Sequence, residues 1–314
     1  MINKNTKIYI AGHCGLAGSA IKSKLEQEGF LNLVYKTHKE LDLTDSNAVN
    51  IFLAKEKPEY IILAAAKVGG IVGNLKSPVE FLTENIKIQT NIIENAFKNN
   101  INELIFLGSS CIYPKNSQLP IKEEQLLSGS LETTNEAYAL AKICGIKLCS
   151  YYNKQYGTNY LSVMPCNLYG KNDNYHQENA HVIPMLIRRF HEAKTQNKKE
   201  VTVWGTGLPK REFLYADDFA EAIVKLIQTE NIEDEIINIG TNNEITIATL
   251  AETIKKTVGY EGNIIYDKTK PDGTFSKKLN TEKMEAIGWS ATTSLEDGLK
   301  ITYQDFLTND NLRK

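Results

Sequence analysis

The sequence lacks any apolar run close to the ~20 residues that a membrane-spanning helix needs. Its first residues, Met-Ile-Asn-Lys-Asn-Thr-Lys, also lack the apolar core of a signal peptide. The net charge is small, because 36 Lys and Arg residues nearly balance 38 Asp and Glu residues, so no whole-chain basic field exists to hold nucleic acid. We therefore expect a cytoplasmic protein that binds neither a membrane nor nucleic acid.

Cysteine is scarce as well. The five cysteines, Cys14, Cys111, Cys144, Cys149 and Cys166, are odd in number and have no metal-ligand spacing. This argues against a disulfide framework and against a zinc site, so we expect free thiols and no metal. Cys144 and Cys149 fall in the apolar pattern of a predicted helix, which predicts that both are small core residues.

Apolar runs rich in Ile, Val and Leu alternate with helical patterns through about residue 170. Such alternation predicts a parallel sheet with helices on both faces, that is, an α/β fold with a Rossmann-like doubly wound sheet. The predicted strands are near residues 7–11, 32–36, 60–64, 103–108 and 159–164, and the predicted helices are near 16–28, 46–56, 79–99 and 136–156.

The rhythm breaks after residue 170, where helices near 182–194, 217–228, 247–257 and 294–307 are interspersed with short strands near 201–204, 236–239 and 263–266. This pattern predicts a smaller α+β C-terminal region. We assign residues 1–170 to a dinucleotide-binding domain and 171–314 mainly to a substrate-binding region. No Pro/Gly/Ser-rich linker separates the two parts, so we expect some chain to cross back to the first domain.

A Gly-x-x-Gly-x-x-Gly motif, Gly12, Gly15 and Gly18, follows the first predicted strand and opens a helix. Strand, glycine turn and helix are what the phosphates of a dinucleotide need; the alternative is a tight turn without a ligand. Further motifs at residues 67–70, 109–113 and 165–169 follow the third, fourth and fifth strands. Because ligands bind beyond the carboxyl ends of parallel strands, we expect all four motifs to meet at one edge of the sheet.

Tyr138 and Lys142 are four residues apart in a predicted helix, so they share one face. A nearby ammonium favours the ionised form of a phenol, and the pair can then move a proton near neutral pH. Taken alone, such a pair is usually solvated helix surface. Ser109, Ser110 and Cys111 precede it at the end of the fourth strand.

The glycine motif and Tyr-x-x-x-Lys together resemble the extended short-chain dehydrogenase/reductase family. Within that family, five segments are similar to those of the members that make GDP-L-fucose from GDP-4-keto-6-deoxy-D-mannose, and the likeness covers nearly the whole chain. These segments are Ala64–Ile71, Gly108–Pro114, Ser162–Gly170, His181–Pro184 and Arg211–Phe213.

The resemblance implies a nicotinamide cofactor. NADP(H) is favoured over NAD because the segment after the second strand, Val34-Tyr-Lys36-Thr-His38-Lys39, has no carboxylate before Glu40; the lysines could equally be a solvated strand end. The family commonly has arginine where this chain has Cys14. The implied cofactor residues are Gly12, His13, Cys14, Gly15, Leu16, Ala17, Gly18, Lys36, His38, Leu107, Gly108, Ser109, Ser110, Tyr138, Lys142, Pro165, Cys166, Asn167, Leu168 and His181.

The resemblance also implies two chemistries. For 4-reduction it makes Tyr138 the proton donor, with Ser109 bonding the same oxygen and Lys142 holding the ribose; Ser110 is the alternative to Ser109. For inversion at C3 and C5 it makes Cys111 and His181 the acid and base, because thiol and imidazole have suitable pKa values. A buried cysteine and a lone histidine are otherwise usually structural.

The resemblance places the grip on GDP-4-keto-6-deoxy-D-mannose in the second region, on Arg189, Trp204, Arg211 and Asp272. Arg188 is an alternative to Arg189, Trp204 can be core, and residues 205–207 can be a plain turn. Lys67, Asn85 and Asn167 are expected to position ligands. A homodimer through the helix of Tyr138 and the helix before it is implied as well. A reductase without epimerisation and a dinucleotide sensor without catalysis are the two alternative functions.

Overall fold

The computed structural model describes residues 2–177, 179–270 and 272–312. The strands are β1 (Ile8–Ala11), β2 (Leu33–Val34), β3 (Tyr60–Leu63), β4 (Glu103–Leu107), β5 (Asn159–Pro165), β6 (Asn167–Tyr169), β7 (Glu200–Trp204), β8 (Lys210–Tyr215), β9 (Ile236–Ile239), β10 (Glu244–Thr246) and β11 (Asn263–Asp267). The helices are α1 (Leu16–Gln27), α2 (Ser46–Glu56), α3 (Ile71–Lys76), α4 (Pro78–Lys98), α5 (Glu136–Tyr156), α6 (Val182–Thr195), α7 (Ala216–Gln228), α8 (Ile247–Val258), α9 (Glu282–Ala286) and α10 (Leu295–Thr308).

The main sheet is parallel and runs β2-β1-β3-β4-β5-β9 over the described residues. The residues of β1 and β3 are buried throughout, as expected for strands covered on both faces. Helix α1 packs against α7, and α4 packs against α2 and α5. The predicted Rossmann-like α/β fold is confirmed.

Chain order reverses between β1 and β3, because β2 lies on one side of β1 and all later strands of the sheet lie on the other. A crevice forms at such a point beyond the carboxyl ends of the strands. The four motifs predicted to meet at this edge follow the ends of β1, β3, β4 and β5.

Strand β9 lies in the main sheet beside β5, although its sequence comes after the rhythm has broken. The remaining strands form two small sheets, β10-β8-β6 and β11-β7. A second buried cluster is built from α6, α8 and α10 with residues of β7 and β8. The division at residue 170 stays a prediction.

The burial of the two cysteines in α5 agrees only in part with the prediction. Cys149 is buried as predicted, but Cys144 is exposed, so its assignment to the core is wrong. Helix α5 buries residues on both sides of Cys144 against the sheet and α4, while Cys144 itself lies on the outward face with the exposed Leu140. In the described part of the chain, no helix is both long and apolar enough to cross a membrane.

Candidate active site

The glycine turn after β1 has the geometry of a phosphate site. Gly12 has φ +90°, and a Cβ on it would lie 2.6 Å from the backbone N of Ala65. A Cβ on Gly18 would collide with the carbonyl oxygen of Gly12. The first hydrogen bond of α1 runs from Ser19 N to Gly15 O at 2.8 Å, so the N–H groups of Leu16, Ala17 and Gly18 precede the helical ladder and can bind an anion.

His13 and Cys14 form the tip of this turn. The imidazole Nε2 lies 3.2 Å from the Cys14 sulfur, and the ring packs on Tyr35 with centroids 4.6 Å apart. The Lys22 ammonium lies 4.4 Å from the Tyr35 ring centroid. Burial, followed by the charge of Lys22, lowers the pKa of His13. Of the three stacked groups His13, Tyr35 and Lys22, it is therefore Lys22 that carries the positive charge.

Lys36 and His38 lie just beyond β2. Lys36 pairs with Glu40 at 3.5 Å, and the His38 imidazole lies 4.0 Å from Asp42. Both contacts are solvent-exposed, and such pairs contribute little free energy. Lys36 and His38 can therefore exchange these carboxylates for a phosphate at low cost.

Tyr138 and Lys142 share the inner face of α5, as their spacing predicts. The Lys142 ammonium donates a hydrogen bond to the carbonyl oxygen of Leu107 at 2.6 Å and lies 5.8 Å from the Tyr138 ring centroid. Burial lowers the pKa of Lys142 to about 8. Burial, and then the charge of Cys111, raises the pKa of Tyr138, whereas the spacing alone predicts a lowered value. The phenol thus holds its proton.

A short helical turn, Ser110–Ile112, follows β4; Ser109 caps its start and Cys111 lies within it. The Ser109 hydroxyl oxygen accepts a hydrogen bond from Cys111 N at 3.3 Å, which holds the Ser109 side chain against the backbone of Cys111. Cys111 is buried. Burial raises the pKa of its thiol, while the charges of Lys277 and Lys142 and a hydrogen bond with Ser109 oppose that rise. The charge of Cys111 in turn affects Tyr138, so the two belong to one site.

His181 is placed by a close backbone contact. Gly70 N donates to Asn179 O at 3.0 Å, and a Cβ on Gly70 would lie 2.6 Å from the carbonyl oxygen of Ala180. The His181 side chain is exposed, yet the surrounding protein desolvates its charged form and lowers its pKa. Within residues 2–177, 179–270 and 272–312, no hydrogen bond joins His181 to Cys111 or Tyr138.

The other predicted cofactor residues are at the ends of β4 and β5. The Leu107 carbonyl oxygen accepts the hydrogen bond from the Lys142 ammonium, and Gly108 N donates to Val163 O at 2.9 Å. Pro165 ends β5, Cys166 N donates to Ile239 O at 2.9 Å, and the Asn167 amide donates to Glu212 O at 2.9 Å. These residues, with Ser110 and Leu168, line the same edge, and their cofactor roles stay predictions.

The Lys67 loop is held by Asn85. The Asn85 amide oxygen accepts from Lys67 N at 2.9 Å, and its amide nitrogen donates to Lys67 O at 3.0 Å. The Lys67 ammonium pairs with Glu84 at 2.7 Å. Asn85 therefore fixes the backbone beside the site, which supports the predicted positioning role.

Arg189 and Trp204 lie together in the second region. The guanidinium carbon is 5.5 Å from the indole centroid, and Trp204 is 39% exposed, so the indole is not core. Arg188 donates to a carboxylate on the next helical turn at 2.6 Å and to a backbone carbonyl at 2.9 Å. Arg189 donates from Nη1 to Thr202 O at 3.2 Å, but it has no carboxylate partner among the described residues, so the geometry favours Arg189 over Arg188 as the ligand residue.

Asp272 organises the turn beside Trp204. Its carboxylate accepts from Thr206 N at 2.7 Å and from the Thr206 hydroxyl at 2.9 Å, and Gly205 and Gly207 have φ +80° and +79°. Residues 205–207 are thus a turn held by Asp272. Burial lowers the pKa of Arg211, while nearby carboxylates, Asp272 among them, oppose that effect.

Sequence reasoning missed three polar groups near this site: Glu132, Glu212 and Lys277. Glu132 and Glu212 are buried, and Lys277 is half-buried. The sequence gives little sign of them. Glu212 can be noticed only because it follows Arg211, and Glu132 and Lys277 lie in loops outside any motif. In the described part of the chain, no three His, Cys, Asp or Glu side chains are grouped so as to hold a metal ion.

A family model described as "NAD dependent epimerase/dehydratase family" matches residues 8–240. The GDP-L-fucose synthase of Escherichia coli K12 is 51% identical over 313 residues, covering 97% of this chain and 98% of that protein. A GDP-L-fucose synthetase from Naegleria fowleri, solved bound to NADP, has a TM-score of 0.91 at 31% identity and covers 100% of this chain and 96% of its own. A GDP-6-OMe-4-keto-L-xylo-heptose reductase from Campylobacter jejuni has a TM-score of 0.91 at 36% identity, covering 98% and 99%.

Proposed function

The chain belongs to the NAD-dependent epimerase/dehydratase family, and on that premise we propose that it converts GDP-4-keto-6-deoxy-D-mannose to GDP-L-fucose with NADPH. The observation that best supports this function is that four residues meet at the sheet edge beside the glycine turn: Ser109, Cys111, Tyr138 and Lys142. The same arrangement supplies a proton donor for reduction and an acid–base group for epimerisation.

The residues present fit a dinucleotide. The left-handed Gly12, the close approach at Gly18 and the free N–H groups at the start of α1 form a cradle that a Cβ would fill. Lys36 and His38 offer cations for a 2′-phosphate, which supports NADP(H). When bound, NADPH supplies the hydride for C4.

Tyr138, Ser109 and Lys142 serve the reduction. Because the Tyr138 phenol keeps its proton in the ligand-free site, it can deliver that proton to the developing alkoxide. The Ser109 hydroxyl can donate to the same oxygen. Lys142, held by Leu107 O, places a positive charge behind the phenol and stabilises the phenolate left after transfer.

Cys111 and His181 serve the two inversions. Hydrogens on C3 and C5 are acidified by the C4 ketone, and each inversion removes a proton from one face and returns one to the other. A thiol and an imidazole from different segments, residues 109–113 and 179–181, can supply the two faces. The oxygen of the enolate accepts hydrogen bonds from Ser109 and Tyr138 meanwhile.

The second region holds the nucleotide. Arg189 and Arg211 provide guanidinium groups for the diphosphate, and Trp204 presents an indole face for the guanine. Asp272 acts by shaping the turn beside Trp204. Arg189→Ala should therefore raise KM for the GDP-sugar about tenfold or more with little loss of stability, whereas Arg188→Ala, the matched control, should mainly lower the melting temperature.

Two variants separate the two chemistries. Tyr138→Phe removes the phenolic proton donor but leaves Cys111 and His181, so NADPH oxidation should fall by roughly 10²–10⁴ while exchange of the C3 and C5 hydrogens with deuterated solvent persists. Cys111→Ala should retain NADPH oxidation and give unepimerised or partly epimerised product. Product NMR measures both.

The same assay tests the alternatives. If wild-type protein yields GDP-D-rhamnose or GDP-6-deoxy-D-talose as the main product, it is a reductase without epimerisation. If Cys111→Ala forms GDP-L-fucose at the wild-type rate, the epimerisation assignment is wrong. An absence of NADPH turnover with the keto-sugar would favour a dinucleotide sensor.

The proposal includes a homodimer through α5. Leu140, Cys144 and Tyr151 are exposed at spacings of four and seven along one face of this helix, which leaves an apolar stripe that a second copy can cover. Light scattering at micromolar concentration should give the dimer mass, and a monomer mass would reject this proposal.

We also propose a cytoplasmic location. None of the cysteines in the described residues forms a disulfide, as expected in a reducing compartment. Subcellular fractionation with a soluble marker enzyme tests it.

A further inference from the structure

No hydrogen bond sets the direction of the Tyr138 phenol. Among the described residues its hydroxyl has no hydrogen-bond partner, and the side chain is half-buried. The outer torsion of an aromatic side chain has a broad minimum, so the packing around the ring decides where the hydroxyl points. A small error in that direction matters, because proton transfer requires the donor to be aimed at the accepting oxygen.

Phe81 is the aromatic side chain that packs on the Tyr138 ring. The two ring centroids are 6.4 Å apart and the planes are inclined by 80°, so the contact is edge-to-face, which is a favoured arrangement of aromatic pairs. In the described part of the chain, no other aromatic ring packs on Tyr138. The Lys142 ammonium also lies near this ring, but its hydrogen bond goes to Leu107 O. Phe81 is therefore the neighbour that limits the tilt of the phenol.

The backbone of Phe81 is tied to the loop that follows β3. Phe81 is 5% exposed, and its carbonyl oxygen accepts a hydrogen bond from the Asn85 amide at 2.7 Å. The same Asn85 side chain bonds both Lys67 N and Lys67 O. One asparagine thus fixes α4 at Phe81 and the start of this loop relative to each other.

Glycines of segment 67–74 lie against the tip of the Phe81 ring. A Cβ on Gly69 would be 3.0 Å from the Phe81 Cζ atom, and a Cβ on Gly73 would be 3.6 Å from it. The Asn74 amide donates to Gly69 O at 2.9 Å and to Gly70 O at 3.1 Å, which fixes the segment. The ring is therefore held between segment 67–74 and Tyr138, and it has little room to move toward Gly69.

We propose that Phe81 is a positioning residue that sets the direction of the Tyr138 phenol for proton transfer to the C4 oxygen, with segment 67–74 holding its ring in place. Phe81 acts through Tyr138 and not on the substrate. This role rests on the proposed function, because the direction of the phenol matters for turnover only if Tyr138 delivers a proton. The aromatic contact itself does not depend on substrate.

Phe81→Leu tests the role in the reaction. The variant should slow NADPH oxidation at saturating keto-sugar by about tenfold to a hundredfold and change KM for NADPH by less than about twofold. Exchange of the C3 and C5 hydrogens with deuterated solvent should persist, because the hydrogen bond from Gly70 N to Asn179 O that places His181 is made by backbone atoms. An equal loss of exchange and reduction would overturn the proposal, since general damage to the site slows both.

Phe52→Leu is the matched control. Phe52 is also buried, but its ring packs on Tyr9 with centroids 4.8 Å apart. It should lower the melting temperature as Phe81→Leu does and leave the rate of NADPH oxidation unchanged. If Phe81→Leu slows the reaction no more than Phe52→Leu, Phe81 is a core residue only. Phe81→Met replaces Phe81→Leu if the latter does not fold.

Gly69→Ala tests the same contact from the other side. Its methyl group must displace the tip of the Phe81 ring, so it should slow 4-reduction. Added to Phe81→Leu it should cause no further loss, because the ring atom that it would meet is gone. Such non-additivity is expected of residues that act through one contact, and losses that multiply would contradict the proposal.

A measurement on ligand-free, full-length protein separates this proposal from the proposed function. Tyrosines are replaced by 3-fluorotyrosine, and the fluorine NMR signal of Tyr138 is identified by its loss in Tyr138→Phe. Phe81→Leu should shift this signal, because the Phe81 ring current no longer acts on it, and Phe52→Leu should not. An unshifted signal would overturn the proposal, whereas a shifted signal in a protein that does not reduce the keto-sugar would reject the proposed function instead.

Discussion

Glu212 is a fully buried carboxyl in the middle of β8, and it makes stability depend on pH. Its Oε2 accepts a hydrogen bond from Leu279 N at 2.8 Å, whereas its Oε1 has no hydrogen-bond partner in the described residues. Burial raises its pKa to about 7 from an ordinary 4.5, and the charge of Glu244 adds to the rise. Burial, and then the charge of Glu212, raises the pKa of Cys166, which lies between β5 and β6.

Whether stability rises or falls with pH depends on which state, folded or unfolded, binds the Glu212 proton more tightly. Between pH 4.5 and 7 the folded state keeps the Glu212 proton while the unfolded state has lost it, so the free energy of unfolding falls as pH rises through this window and is level above it. A rise in pKa from 4.5 to about 7 corresponds to about 3 kcal/mol in full, and to about 2–3 kcal/mol between pH 5 and 8.

Glu212→Gln removes the titration and nearly preserves shape. Relative to wild type, we expect the free energy of unfolding of the variant to be about 2–3 kcal/mol larger at pH 8 than at pH 5, because only the wild type loses stability over this range. Any constant effect of the amide cancels in this difference. Urea unfolding at the two pH values measures it, with the exposed Glu221→Gln as a matched control. A relative stability independent of pH would refute the reasoning.

Three further predictions concern the glycine turn, a buried carboxylate and the active-site lysine. Gly18→Ala should destabilise the fold by about 2 kcal/mol or more and abolish NADPH binding by fluorescence titration, whereas the stability of Gly15→Ala should change little because its Cβ would lie 3.5 Å from the nearest atom. Asp218 accepts three hydrogen bonds from two threonines, so Asp218→Ala should lose at least about 2 kcal/mol in urea unfolding, and Asp217→Ala, at an exposed ion pair, well under 1 kcal/mol. Because the pKa of Lys142 is about 8, its charge is present below pH 8 and lost above it, so kcat/KM for NADPH should fall as pH rises past 8; a flat profile, or no shift of the fall to higher pH in Lys142→Arg, would contradict this.

Much of the fold follows from local pattern. Strands and helices through residue 165 are near their predicted positions, because burial on both faces of a parallel sheet leaves continuous apolar runs. Residues after 165 were harder to predict. Strands β6 and β10 have three residues each, and β8 begins with Lys210, Arg211 and Glu212, so neither length nor alternation signals them.

The site divides in the same way. The glycine turn and the shared face of Tyr138 and Lys142 are local features, set by residue type and helical period. Composition could not show which of the two adjacent arginines is less engaged by the protein, because the contacts of Arg188 with Glu192 and Tyr175 O depend on the packing of α6.

By itself, the sequence determined the α/β class, the glycine turn at Gly12–Gly18 and the shared helix face of Tyr138 and Lys142, since each is encoded within a few consecutive residues. Tertiary structure alone decided that β9 joins the main sheet, that the Lys142 ammonium reaches Leu107 O, and that Leu279 N donates to the buried Glu212 carboxylate. These contacts join residues that are 35 or more positions apart, and only the packing of the whole chain brings such residues together.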